Sequence, residues 1–66
     1  MHSFSLQVRW VPGTSNRLIV CNQSTEKEVF LHTFEDVCGK QATFDLYLQG
    51  KTTLQLSGKE MKRLGV

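Results

Sequence analysis

Ser24-Thr25-Glu26-Lys27-Glu28-Val29-Phe30-Leu31-His32-Thr33-Phe34-Glu35-Asp36-Val37-Cys38-Gly39 is the stretch whose reading decides the fold. Phe30, Phe34 and Val37 recur at i, i+4 and i+7, with Leu31 and Cys38 beside them, which lays one apolar stripe along a helix. Thr25 and Glu28 have the spacing of a capping box, and Gly39 suits a left-handed close. The spacing therefore predicts a central helix over 24–39 on which a small sheet packs. A rival reading makes residues 27–34 a strand, because Val29, Phe30, Thr33 and Phe34 all favour sheets. That strand would carry large apolar groups on both faces, and the molecule would become a small all-β barrel.

Toward the N-terminus, Phe4, Leu6, Val8 and Trp10 alternate with Ser5, Gln7, Arg9 and Val11, the pattern of a half-buried strand. Pro12-Gly13-Thr14-Ser15-Asn16 reads as a turn, and Arg17 to Asn22 as a second strand. Pairing Trp10 with Leu18 and Val8 with Val20 keeps one apolar face, so these runs form a hairpin. Toward the C-terminus, Ala42, Phe44, Leu46 and Leu48 alternate with Thr43, Asp45, Tyr47 and Gln49. A Gln49-Gly50-Lys51 turn then sets Leu48, Leu46 and Phe44 opposite Thr52, Leu54 and Leu56, which predicts a second hairpin. Ser57 and Glu60 form a second capping box, Met61 and Leu64 an apolar pair, and Gly65 a stop, so the tail is a short helix.

The expected architecture is a single α+β domain over residues 1–66. It is a two-layer sandwich of β-β-α-β-β order, two hairpins packed on one central helix, plus the short C-terminal helix. With 66 residues, such a chain buries roughly 60% of its unfolded surface, leaving no room for a deep pocket beside its core. No apolar run approaches the roughly 20 residues needed to cross a bilayer, and no basic region precedes an apolar block at the start. The expected compartment is the cytoplasm, with Cys21 and Cys38 as small buried side chains; a disulfide between them is the alternative.

Net charge is +2, unevenly spread: residues 26–36 carry −3 and residues 40–66 carry +3. That polarity orients a charged partner, but it falls short of the clustered basic charge expected of a nucleic-acid binder. Glu28, His32 and Asp36 share a face if the central helix forms, with Glu35 adjacent. One histidine among exposed acids is a poor metal site, so a solvated acidic face is the expectation. His2 is expected to be mobile. Neither cysteine has a paired base, no serine lies in a nucleophile elbow, and Gly50-Lys51-Thr52 lacks the first glycine of a phosphate loop. No enzyme, cofactor or metal is expected.

Two binding readings remain. The first is a small protein-interaction module, a regulator, adaptor or inhibitor. It would engage another protein, or a second copy as a homo-oligomer, through a free sheet edge or the acidic helix face. Glu28, His32, Glu35 and Asp36 would supply charge, and Arg9 and Tyr47 sheet-face contacts. Outward residues rich in Ser, Thr and Gln (Ser5, Gln7, Thr43, Asp45, Gln49, Thr53, Gln55) are readily desolvated, and free edges invite strand addition. The alternative is nucleic-acid binding by Arg9, Arg17, Lys51, Lys59, Lys62 and Arg63.

Overall fold

The alternating run at the N-terminus becomes one of the two inner strands of the sheet. The computed structural model describes residues 3–66. Its elements are β1 (Ser3–Trp10), β2 (Arg17–Asn22), β3 (Thr25–Phe30), α1 (Leu31–Cys38), α2 (Lys40–Gln49), β4 (Lys51–Ser57) and α3 (Gly58–Leu64). The four strands lie in the order β3-β2-β1-β4, every neighbouring pair antiparallel. The chain is a small α+β fold, one sheet with the helices against one of its faces.

The first hairpin forms in the expected register, Trp10 opposite Leu18 and Val8 opposite Val20. Leu6, Val8, Leu18 and Val20 are fully buried and form the sheet's half of the core. The α3 cap also forms as its sequence implies. The Ser57 hydroxyl accepts from the Glu60 N–H, and the Ser57 N–H donates to the Glu60 carboxylate. Met61 and Leu64 are buried beneath it, and Gly65 closes the helix at φ 89°.

The decisive stretch is not one helix. Its first part, Thr25–Phe30, is the edge strand β3, paired with β2 from Asn22–Thr25 to Arg17–Phe30. Only Leu31–Cys38 is helical. The β-formers Thr25, Val29 and Phe30 find a partner in β2 through a turn at Gln23, which adopts a positive φ of 57° without a glycine to announce it. Thr25 and Glu28 therefore form no capping box. Phe34 is buried as the helix stripe implies, whereas Phe30 stands half exposed at the junction. The all-β barrel is equally set aside, because residues 31–38 and 40–49 are helices.

The second hairpin does not form. Residues 40–49 are α2, begun after Gly39 (φ 91°, ψ 173°) and ended by Gly50 in the left-handed conformation. Ala42, Thr43 and Leu46 face the core at helical spacing, and Phe44, Tyr47 and Leu48 lie outside. β4 keeps its inward set of Thr52, Leu54 and Leu56 but pairs with β1, opposite Val8, Leu6 and Phe4. The order is thus β-β-β-α-α-β-α in place of β-β-α-β-β. The α1–α2 segment carries the chain across one face of the sheet, from the β3 edge to the β4 edge.

Candidate partner-binding surface

Three surfaces are built from this arrangement: the open sheet face, the outer side of α2, and the two sheet edges. On the open face, β1 presents Ser3, Ser5, Gln7 and Arg9, β2 Arg17, Ile19 and Cys21, β3 Glu26 and Glu28, and β4 Lys51, Thr53 and Gln55. Arg9 reaches diagonally over β2. Its guanidinium donates to the Cys21 sulfur at 2.9 Å and to the Glu26 carboxylate at 3.0 Å. The hydrogen bond from Arg9 holds the Glu26 carboxyl below the usual carboxylate range. Both partners are about half exposed, so solvent screens the pair and it adds little to stability.

α2 is fixed by the indole N–H of Trp10, which donates to the Leu46 carbonyl at 3.0 Å, while the Trp10 and Tyr47 rings meet at 5.5 Å. The Thr43 hydroxyl, buried, donates to the Gly39 carbonyl at 3.1 Å. Outside this attachment, Phe44, Tyr47 and Leu48 are 55%, 65% and 66% exposed at i, i+3 and i+4. Tyr47 is held on one side by Trp10, and Phe44 and Leu48 form an exposed apolar pair beside it. Below it a cleft of about 460 Å³ opens between Asp45 and Gln49 of α2, Gln7 to Arg9 of β1 and Lys51 to Thr53 of β4.

The structure separates the acidic cluster. Glu28 is on β3, and His32, Glu35 and Asp36 are on α1. His32 stacks on Phe30 at 5.6 Å, and the Arg17 guanidinium lies over the same ring at 5.7 Å. Among the described residues, no three His, Cys, Asp or Glu side chains gather as a metal site. His2 lies outside the described residues. Tyr47 is a helix residue, not a sheet-face contact, and so are Asp45 and Gln49. Ser5, Gln7, Thr53 and Gln55 do share the open face, as their alternation implies.

The six basic residues offered for nucleic-acid binding fall into three places. Arg9 and Lys51 are register neighbours on the open face, Arg17 sits over Phe30 near the β3 edge, and Lys59, Lys62 and Arg63 are on α3. Cys21 and Cys38 are free thiols on different layers, one on the open face and one at the end of α1. Burial, and then the charge of Glu60, push the Cys38 thiol up to about 11, so almost none of it is thiolate near neutrality.

The feature that sequence reasoning did not find is the exposed apolar pair on α2. As strand residues, Phe44 and Leu48 point inward; as helix residues they point out. No helix among the described residues is long and apolar enough to cross a membrane. In comparisons with known proteins the chain matches no family model, no curated protein and no solved structure.

Proposed function

We propose that this chain is a non-enzymatic protein-interaction module that engages its partner by strand addition at the β4 edge. The observation that carries the reading is the character of that edge. β4 pairs with β1 alone, and Thr52-Thr53-Leu54-Gln55-Leu56 contains no charge, proline or glycine to discourage a further strand. Main-chain hydrogen bonds would supply affinity there. The acidic face offered by sequence spacing loses Glu28 to β3, so the support rests on the edge rather than on α1.

The test is affinity capture from the native lysate by the wild-type chain and by a Thr53→Lys/Gln55→Lys variant, whose changes lie on exposed outward positions. A partner retained by the wild type and lost by the variant is the expected result. A partner held equally by both, or none held by either, contradicts the proposal.

A further inference from the structure

Resting on that reading of the β4 edge, we infer that the strand added there is β4 of a second copy of this chain, forming a two-fold symmetric dimer with one continuous eight-stranded sheet. Antiparallel neighbours must point to the same face, so only registers that keep the inward and outward sets together are allowed. The register centred on the seven-residue strand puts Leu54 on the two-fold axis. It sets Thr53 opposite the second copy's Gln55, Thr52 opposite its Leu56 and Lys51 opposite its Ser57. Outward polar residues then meet outward polar residues, and inward residues meet inward ones. This self-complementarity is what an isologous interface requires.

The charges at the two ends of β4 agree with this pairing. Asp45 and Lys51 line the cleft at the start of β4, whereas Lys59 and Glu60 begin α3 just beyond its end. Antiparallel pairing brings the end of one β4 to the start of the other. Asp45 is then neighbour to the second copy's Lys59, a pair of opposite sign. Because the axis stands perpendicular to the sheet, both helix layers fall on the same side. Asp45 and Gln49 of α2 face the start of β4, so the two α2 helices lie on the same side of the joined sheet. An interface of one short strand pair lies below the roughly 1,200 Å² of standard complexes, so weak, concentration-dependent association is expected.

Sedimentation velocity over a range of concentrations, together with a charge swap, tests the inference. The wild type is expected to rise to twice its 7.5 kDa mass as concentration increases. Thr53→Lys/Gln55→Lys alone and Thr53→Glu/Gln55→Glu alone should each associate at least tenfold more weakly, since like charges then face each other across the seam. An equimolar mixture of the two variants should recover association, which also shows that both are folded. A wild type that stays at monomer mass throughout overturns the inference, as do variants that associate as the wild type does, or a mixture that stays monomeric. A monomeric wild type that still captures a lysate partner, lost in Thr53→Lys/Gln55→Lys, leaves the module reading standing and removes the second copy. If nothing is captured either, both fall.

Discussion

The two edges of the sheet carry different sequences for the same exposed position. β3 is Thr25-Glu26-Lys27-Glu28-Val29-Phe30, three consecutive charges in six residues, and β4 is Lys51-Thr52-Thr53-Leu54-Gln55-Leu56-Ser57, uncharged after its first residue. Each strand pairs on one side only. A further strand at β3 would have to accommodate Glu26, Lys27 and Glu28 at close quarters, whereas a further strand at β4 meets Thr, Gln and Leu. The surroundings differ in the same sense. Beside β3, the exposed ring of Phe30 is occupied by His32 and Arg17. On α2, the helix that leads into β4, the Phe44 and Leu48 side chains remain exposed. A chain of this size has two edges to manage. This one guards the first with charge and leaves the second open, and that contrast is the reason for proposing β4 as the edge that pairs.

Substitutions can break this contrast at several depths. The deepest is Phe34→Ala. Phe34 is fully buried between the helices and the sheet, and its removal should cost about 3–5 kcal/mol, most of the stability of so small a domain. Chemical denaturation should show both edges lost together. Converting the guarded edge to the open type, by Glu26→Thr with Lys27→Thr and Glu28→Thr, should make β3 sticky as well. Light scattering is then expected to show assemblies larger than a dimer, because each copy would offer two open edges.

Smaller effects follow from the supports of each edge. Ser57→Ala removes the cap of α3 just past β4 and should cost about 1 kcal/mol in urea denaturation. The same cap makes stability depend on acid. The Ser57 N–H holds the Glu60 carboxyl below its ordinary range, so its contribution is present at neutral pH and is lost as pH falls through that depressed value. Glu60→Gln, which keeps an acceptor for that N–H but no titrating carboxyl, should therefore flatten the acid limb of the stability profile. The smallest effect is expected from Arg9→Gln. It breaks an exposed ion pair that bridges β1 to β3, should leave the urea midpoint nearly unchanged, and leaves the β4 edge untouched.

Where local pattern and tertiary position agreed, the sequence could be read directly. The register of β1 on β2, the inward set of β4 and the capping box at Ser57 and Glu60 all follow from spacing alone. Two stretches fit both periodicities. Residues 25–38 have an apolar stripe at helical spacing, yet Thr25, Val29 and Phe30 are also strand formers, and a tight turn with positive φ at Gln23 decided in favour of β3. Residues 42–49 alternate cleanly, but they are bounded by Gly39 and Gly50 and become α2, so β4 takes β1 as its partner. The candidate surface inherits the same ambiguity. Glu28 left the acidic face when its segment became a strand, and the exposed pair of Phe44 and Leu48 appeared only when α2 became a helix. The polar residues that β1 and β4 present on the open face follow from the alternation of those two runs.

The most direct test of the open β4 edge is amide hydrogen exchange measured residue by residue at low and at high protein concentration. The account predicts that amides of Lys51–Ser57 facing away from β1 gain protection as concentration rises, while those of Thr25–Phe30 facing away from β2 do not change. Protection that is independent of concentration at both edges, or that grows at β3 and not at β4, would contradict it.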